Sequence, residues 1–459
     1  VLTASRKRAS ELEPPVALRK FASSPAAVSP ALKPTYHPQS ISMGIKFRLL
    51  VMSFLQFFVW GAWLITVSNY WFITKGWGGA EFGAIFSTLG FASLLMPALT
   101  GIIADRWINA ERLYGMLHIL GGIALACIPM VNHPGTFFWV IFAAMLCYMP
   151  TISLSNSVAY NILKTNGFDV IKVFPPIRVW GTIGFIAAMW VTNLTGNKAS
   201  ANQFYIAAAF AVLLGVYSFS LPKCPPLKST AKGAPLVELL GLSAFKLFGN
   251  HKIALFFIFS MFLGGALQLT NMYGDVFLSE FASVPQYKDS LVVKYSTIIM
   301  SISQVSETLF ILAIPFVLKR FGIKMVMLIS MFAWVLRFAF FAFGNPADGL
   351  WMIILSCVVY GMAFDFFNIS GSLFIETTTD STIRSSAQGL FMMMTNGFGA
   401  IFGSLASGYV IDTFFTHNGT KDWHGIWLSF ALYAFVIAIG FAVMFKHKHD
   451  PEVTESYRH

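Results

Sequence analysis

The chain has 459 residues, of which 56% are hydrophobic and only 11% are charged, and its mean hydropathy is +0.68. An ordinary soluble domain has about 25% charged residues, so this composition excludes a soluble globular protein and indicates a polytopic membrane protein. The net charge of +11 comes largely from basic residues between apolar segments, which argues against nucleic-acid binding. The four cysteines show neither CxxC nor metal-type spacing, so we expect no disulfide framework and no metal site.

Residues 1–42 precede the first apolar segment and are rich in Pro, Ser, Ala, Lys and Arg. They contain no stretch long enough to span a membrane or to form the apolar core of a signal peptide. We interpret them as a disordered N-terminal extension. A targeting peptide is the alternative, since basic residues such as Arg6, Lys7 and Arg8 lie there, but Glu11, Glu13 and several prolines disfavour an amphipathic transit helix.

Twelve apolar segments follow, most of them near the roughly 20 residues that a helix needs to cross the hydrocarbon core. They are continuously apolar rather than alternating, which favours helices over the strands of a membrane barrel. The segments cover residues 49–73, 82–104, 113–131, 137–160, 174–195, 203–221, 253–279, 296–318, 324–343, 350–374, 386–411 and 425–445. Between the sixth and the seventh, residues 222–252 contain Pro225-Pro226 and several lysines, and we predict a cytoplasmic linker there.

This arrangement predicts an all-α membrane protein with 12 transmembrane helices in two six-helix bundles. We assign residues 43–221 to the N-terminal bundle, 253–446 to the C-terminal bundle and 447–459 to a cytoplasmic tail. Two parallel repeats of this kind enclose a central cavity. With the N-terminus inside, the inner connections from Lys46 onward carry 18 Lys and Arg residues, whereas the outer ones carry five. Because positive charge favours the cytoplasmic side, both termini are predicted to be cytoplasmic.

The connection after the second span reads Gly101-Ile-Ile-Ala104-Asp105-Arg106, and its counterpart after the eighth span reads Lys319-Arg320-Phe-Gly322-Ile-Lys324. These sequences resemble the signature loops of the major facilitator superfamily. A Gly-Asp-Arg turn can also simply cap and orient adjacent helices, but together with the topology it favours the superfamily. The resemblance implies that Gly101, Asp105 and Arg106 form a loop that takes part in conformational change.

Polar side chains inside a span are unfavourable, so they are the first candidates for a functional site. Several of them recur at spacings of three, four or seven residues, which places them on one face of their helix. They are Arg178, Thr182 and Phe185 on the fifth span, Gln268 and Asn271 on the seventh, Gln304 and Glu307 on the eighth, and Tyr360, Phe364, Asp365 and Asn368 on the tenth. Four helices from both halves therefore present narrow polar or aromatic faces, as a shared central site requires.

Each of these residues also has a purely structural interpretation. Arg178 lies near the cytoplasmic end of its span and can extend to lipid headgroups. The amides of the seventh and eighth spans can join helices by hydrogen bonds, and aromatic residues are abundant throughout. Glu307 and Asp365 are harder to explain in this way, because a buried carboxylate must be neutralised or paired. Arg337, on the ninth span, can pair with Glu307 or take part in a charge-coupled switch.

Amides and carboxyl groups beside aromatic rings suit a neutral ligand that has hydroxyl groups and a flat ring. An anionic phosphate ligand would require a denser cluster of basic residues. Uphill movement of a neutral solute needs a coupled ion, and a carboxyl group in a low-dielectric cavity binds a proton readily. Proton coupling is therefore favoured over sodium coupling, with Asp365 ahead of Glu307 as the coupling residue and Arg337 as a charge partner. We expect no cofactor beyond the proton gradient.

Five segments carry a more specific resemblance. They are Phe174-Pro-Pro-Ile-Arg-Val-Trp-Gly-Thr-Ile-Gly-Phe185, Leu267-Gln-Leu-Thr-Asn-Met272, Ser301-Ile-Ser-Gln-Val-Ser-Glu-Thr-Leu-Phe310, Tyr360-Gly-Met-Ala-Phe-Asp-Phe-Phe-Asn-Ile-Ser-Gly371, and Ser386-Ala-Gln-Gly389 with Met394-Thr-Asn-Gly-Phe-Gly399. At these residues the chain resembles the bacterial nucleoside permeases of the nucleoside:proton symporter family, within the major facilitator superfamily. The resemblance extends from Met43 to about Lys448 and departs from the family in the leader and in the loop 275–294.

The resemblance implies a nucleoside:proton symporter of the bacterial inner membrane that imports uridine, adenosine and similar nucleosides by alternating access. It also implies that ten residues surround the nucleoside, namely Arg178, Thr182, Phe185, Gln268, Asn271, Gln304, Glu307, Tyr360, Phe364 and Asp365. Protons and membrane lipid are the other expected partners, and we expect a monomer.

Three alternatives remain open at this point. The Arg, Glu and Asp set is also similar to the proton and sugar sites of the lactose permease, which makes a sugar or oligosaccharide:proton symporter the nearest competitor. A membrane-bound transferase would need a nucleophile paired with a base, and the nine histidines, mostly in loops or tails, show no such pairing. We therefore expect no enzyme. A membrane nutrient sensor that binds without transport is the third alternative.

Overall fold

The computed structural model describes residues 43–226, 242–380 and 383–447. The predicted N-terminal extension lies outside these ranges, as do residues 227–241 of the predicted linker and the tail from residue 448. The described chain is almost entirely helical, because in a membrane only helices and closed barrels satisfy every backbone hydrogen bond internally. A two-stranded antiparallel hairpin, Thr416–His417 with Thr420–Lys421, is the exception within the described ranges.

The helices fall into two sets of six, which we call the first half and the second half. The first half contains α1 (Met43–Gly61), α2 (Gly79–Arg106), α3 (Ala110–Cys127), α4 (Pro134–Thr165), α5 (Val170–Leu194) and α6 (Asn202–Ser218). The second half contains α7 (His251–Glu280), α8 (296–321), α9 (323–343), α10 (Leu350–Thr378), α11 (Arg384–Met392, continuing through Ala400–Phe414) and α12 (Trp423–Met444). Short helical segments lie at Asn69–Thr74, Ile128–Met130, Leu242–Gly249, Phe281–Ser283, Pro285–Tyr287 and Leu291–Lys294, and π-helical turns at Met393–Gly399 join the two parts of α11.

Helices α8 and α9 lie within one run of helical hydrogen bonds, Ser296–Phe343, which is interrupted at Gly322. A straight helix of 48 residues would be about 72 Å long, at 1.5 Å per residue. This length is more than twice the hydrocarbon core of a bilayer. The φ angle of 74° at Gly322 is one that glycine adopts without strain, so this residue separates two spans.

Ten helices of the described chain are long and apolar enough to cross a membrane. The run Ser296–Phe343 is one of these ten and contains two spans, and the shorter apolar helix α6 adds another. The all-α membrane fold is therefore confirmed, and the helices are consistent with the twelve predicted spans. Two boundaries differ from the prediction: α1 ends at Gly61 rather than near residue 73, and α2 continues to Arg106, so Asp105 lies in the last turn of a helix.

Glycines allow several pairs of helices to pack backbone against backbone, as is common in membrane bundles. At Gly184 on α5, a Cβ atom would lie 2.1 Å from the carbonyl oxygen of Phe54 on α1. At Gly83 on α2, a Cβ atom would lie 2.4 Å from the carbonyl oxygen of Ser404 on α11. The first contact lies within the first half, and the second joins the two halves.

Hydrogen bonds between the two halves close one end of the bundle, the end that the charge count assigns to the outside. The carboxylate of Asp412, at the end of α11, accepts hydrogen bonds from the backbone N–H groups of Gly79 and Ala80 at 2.8 and 2.6 Å. A carboxylate at a helix N-terminus is favourable because it satisfies free N–H groups and complements the helix dipole. Asp412 therefore fixes α2 of the first half to α11 of the second.

The connection between α5 and α6 contributes a second set of contacts at this end. Lys198 donates hydrogen bonds to Ser279, Ser296 and the carbonyl oxygen of Val293 at 3.2, 2.9 and 2.5 Å. Burial lowers the pKa of Lys198, and the negative charge of Asp275 opposes that decrease. All the polar contacts of Lys198 with these residues cross from the first half to the second.

A third set of contacts surrounds Asp275, a fully buried residue of α7. Its carboxylate accepts hydrogen bonds from the side-chain amide of Asn69, in the first half, and from the hydroxyl of Thr297 at 3.1 Å. We refer to Asn69, Lys198, Asp275 and Asp412 together as the outer closure. Within the described ranges, the hydrogen bonds that join the two halves all lie in this outer part of the bundle.

Candidate functional site

A cavity of about 670 Å³ lies between the two halves. Helices α1, α2 and α4 contribute its wall on one side, and α7, α10 and α11 contribute the other. The lining residues are Trp60, Leu64, Leu89, Ser93, Leu94, Pro97, Ala98, Met149, Ile152, Ser153, Leu267, Gln268, Asn271, Phe364, Ser386, Gly389, Leu390, Met392, Met393 and Asn396. A mainly apolar cavity with a few polar groups is the usual form of a small-molecule site.

Three of the ten predicted site residues, Gln268, Asn271 and Phe364, line this cavity. The other seven do not contribute to its lining, and they are Arg178, Thr182, Phe185, Gln304, Glu307, Tyr360 and Asp365. The shared helix faces therefore bring only part of the predicted set to the cavity wall.

Charged residues from three helices nevertheless influence one another electrostatically across the two halves. The guanidinium of Arg178, on α5, lies 4.0 Å from the centroid of the Phe57 ring. Glu307, on α8, interacts electrostatically with Arg178 and with Asp365 on α10. A cation of the first half therefore acts electrostatically on carboxyl groups of the second, and a shared site formed by these residues stays a prediction.

Three buried oxygen atoms of the predicted set have no hydrogen-bond partner within the described protein: Oε1 of Gln268, Oε1 of Gln304 and Oδ2 of Asp365. A buried acceptor without a partner is destabilising by roughly 1–3 kcal/mol. A ligand with hydroxyl or N–H groups satisfies such amide oxygens, and a proton satisfies a carboxylate. These three atoms therefore favour a polar ligand and a proton as occupants of this region.

Two predicted aromatic residues of α10 form a stack. The rings of Tyr360 and Phe364 have centroids 5.9 Å apart and planes at 4°. Tyr360 is buried, and Phe364 reaches the cavity. The stack therefore connects the cavity wall to the interior of the second half.

Arg337 is fully buried on α9, with hydroxyl, carbonyl and aromatic partners. It donates hydrogen bonds to Thr270 at 3.1 Å, to Ser303 at 3.3 Å and to the carbonyl oxygen of Ser356 at 2.7 Å. Its guanidinium also lies 4.6 Å from the centroid of the Tyr360 ring.

Pairing with Glu307, one of the two roles considered for Arg337, is not present in this conformation, since no ion pair joins these two described residues. The hydrogen bonds of Arg337 tie it to α7, α8 and α10, and Arg178 is the basic residue that acts on Glu307. A part for Arg337 in proton coupling stays a prediction.

Sequence reasoning missed a buried polar network in the first half, centred on Gln56. The side-chain oxygen of Gln56 accepts a hydrogen bond from Tyr114 at 2.6 Å and lies 2.8 Å from Nε2 of His118. Its amide nitrogen donates to Thr151 at 2.9 Å, and its backbone oxygen accepts from Tyr148 at 2.8 Å. The signal was available, because His118 lies inside the predicted third span and ionisable residues in spans are candidates. The same rule singles out Asp275 in the predicted seventh span.

Comparisons with known proteins identify the family of the chain. A family model described as the nucleoside H+ symporter matches residues 43–450. The nucleoside permease NupG of Escherichia coli (strain K12) is 50% identical over 420 residues, which cover 91% of this chain and all of the relative. The xanthosine permease of the same organism is 51% identical over 411 residues, covering 89% of this chain and 98% of the relative.

Solved structures give the same result. A crystal structure of the nucleoside transporter NupG, at 50% identity, superposes with a TM-score of 0.83 and covers 88% of this chain and 100% of its own. A D-xylose-proton symporter at 13% identity has a TM-score of 0.63 and shares the fold alone. The family match extends over almost all of the described residues and includes every helix of both halves. The chain therefore belongs to the nucleoside H+ symporter family.

Proposed function

We propose that this chain imports nucleosides across the bacterial inner membrane by proton symport. The observation that carries the proposal is the cavity between the halves, together with the buried oxygens of Gln268, Gln304 and Asp365, which have no partner within the described protein. Amide oxygens suit the hydroxyl and N–H groups of a nucleoside, and a carboxyl group suits the coupled proton. Family membership and the names of the two permeases support this choice of substrate over a sugar.

The ten residues predicted from the sequence are proposed to surround the nucleoside during transport. Gln268, Asn271 and Phe364 already line the cavity. We include Arg178, Glu307 and Asp365 because they influence one another electrostatically across the halves and because Asp365 directly follows the cavity-lining Phe364. A movement of α5, α8 and α10 during the cycle is proposed to bring these residues to the same ligand. The proposal also includes cytoplasmic termini, which the charge count supports, and a monomeric transporter.

The outer closure supports an alternating-access cycle. In the described state the halves are hydrogen-bonded at the outer end, so we assign this state to the part of the cycle in which the cavity communicates with the inner side. Uptake from outside then requires that the contacts of Asn69, Lys198, Asp275 and Asp412 across the halves break.

The substrate class is tested by competition binding and by uptake. Purified protein is expected to bind uridine or adenosine, and an excess of a disaccharide is not expected to compete, because the proposed site combines amide groups for one sugar with an aromatic ring for a flat base. Vesicles with an imposed pH gradient are expected to accumulate the nucleoside. Equal competition by a disaccharide would favour the sugar symporter, and binding without uptake would favour the nutrient sensor.

Replacement of Asp105 tests the conformational role of the end of α2. Asp105 is exposed and lies about two helical turns beyond Ala98, the last cavity-lining residue of α2. Asp105→Asn is therefore expected to slow uptake by about tenfold or more while nucleoside affinity changes less than about twofold. Asp289→Asn, at an exposed aspartate in the connection between α7 and α8, is the control. Normal uptake by Asp105→Asn would refute the role.

A further inference from the structure

Two aromatic side chains line the cavity, and each half provides one of them. Phe364 comes from α10 of the second half and belongs to the set predicted from the sequence. Trp60 comes from the last turn of α1 in the first half and was not predicted. All the other side chains of the lining are aliphatic, thioether, small or amide groups.

The orientation of Trp60 is fixed by its neighbours. Its indole stacks on the ring of Tyr148, with centroids 4.6 Å apart and planes at 5°, and it meets Trp63 edge to face at 5.5 Å. Tyr148 is in turn held by its hydrogen bond to the backbone oxygen of Gln56 and by an edge-to-face contact with His118 at 6.0 Å. The polar network centred on Gln56 therefore holds the Trp60–Tyr148 stack in place.

Only one member of this aromatic group remains accessible. Trp63 and Tyr148 are buried, whereas Trp60 is partly exposed and forms part of the cavity wall. Tyr148 occupies one face of the indole, so the part exposed to the cavity is free to meet a ligand. An aromatic surface that is already oriented loses little conformational freedom when a flat ring binds to it.

We propose that Trp60 is a substrate-contacting residue that binds the nucleobase, and that the base is held between the two halves by Trp60 and Phe364. The proposal rests on the proposed function and adds a base-recognition residue from the first half. In this arrangement the amides of Gln268 and Asn271 form hydrogen bonds with the hydroxyl groups of the sugar. A base that touches both rings links the two halves, so its binding bears directly on their relative movement.

The test measures the affinities of adenosine and uridine for the purified full chain in detergent, by titration calorimetry. Trp60→Leu is expected to weaken nucleoside binding by about tenfold to 100-fold, since stacking of one base contributes this range of affinity. The loss is expected to be larger for adenosine, because a purine overlaps more ring area than a pyrimidine. Trp60→Phe keeps a smaller aromatic surface and is expected to lose about threefold.

Trp139→Leu is the matched control, because Trp139 on α4 is 67% exposed on the surface of the bundle and does not line the cavity. Its affinities are expected to equal those of the wild type. Unchanged affinities in Trp60→Leu would overturn the proposal, as would equal losses for both nucleosides accompanied by a lower Tm. Should Trp60→Leu fail to fold, wild-type affinities in Trp60→Phe would overturn it instead. Failure of the wild type to bind either nucleoside would count against the proposed function itself.

Discussion

Asp365→Asn is expected to abolish proton-driven accumulation of nucleosides while nucleoside binding and exchange are retained. Asp365 lies near the middle of α10, directly after Phe364 of the cavity wall, and its Oδ2 atom is buried without a partner in the described protein. Asparagine has the shape of the protonated acid but cannot release a proton. The variant therefore keeps the ligand contacts and loses the coupling.

Accumulation in vesicles with an imposed pH gradient measures this effect. For one proton per nucleoside, a gradient of one pH unit drives about tenfold accumulation, and Asp365→Asn is expected to give a ratio of about one. Glu307→Gln is the comparison. Because Glu307 shares a helix face with Gln304, this variant is expected to lower the affinity for the nucleoside more directly. Accumulation that persists in Asp365→Asn would reject the assignment, and loss of coupling in Glu307→Gln alone would transfer it to Glu307.

Gly184→Ala is expected to destabilise the folded bundle by about 1–3 kcal/mol, the usual penalty for overpacking a core. The added Cβ atom would lie 2.1 Å from the carbonyl oxygen of Phe54, which belongs to the backbone of α1 and has no flexible side chain to move aside. Helices α1 and α5 would have to separate, and α1 carries Trp60 of the cavity wall.

Gly101→Ala provides a control with the same chemical change. Gly101 lies in α2, and no atom lies within 4 Å of the position of its added Cβ. Because alanine is favoured over glycine in a helix by about 0.5–1 kcal/mol, this variant is expected to be as stable as the wild type or slightly more stable. The Tm values of the two variants are compared by thermal unfolding, which is monitored by size-exclusion chromatography. A wild-type Tm for Gly184→Ala would contradict the packing described for α1 and α5.

Hydropathy and helical spacing were sufficient to predict the fold class, the spans and the helix faces of the polar residues. The reason is physical: a span must be apolar over its whole length, so a charged residue such as Asp365 is conspicuous. The spacing could not show which faces meet the cavity, since this depends on how helices pack. Gln268 and Asn271 line the cavity, whereas Gln304 and Glu307 do not.

The sequence did not predict Trp60 or the outer closure, and the reasons are related. Aromatic residues make up 16% of the chain, and no sequence pattern distinguishes a tryptophan at a cavity from one facing lipid. Asn69 and Asp275 are hydrogen-bonded although 206 positions separate them in the chain. The pairing of Arg337 with Glu307, one of two roles that the sequence left open for Arg337, is absent from this conformation, in which Arg337 donates hydrogen bonds to hydroxyl and carbonyl groups on other helices.

The contacts of the outer closure contribute a free energy similar to the one needed to change the conformation of the transporter. A net contribution of about 1 kcal/mol is typical of one hydrogen bond, so the few contacts of Asn69, Lys198, Asp275 and Asp412 amount to several kcal/mol. Reversing a two-state population from 99:1 to 1:99 takes about 5.5 kcal/mol. The two quantities are comparable, so removal of a single closure contact, such as the carboxylate of Asp412, is expected to shift the resting population measurably away from the state in which the outer closure is formed.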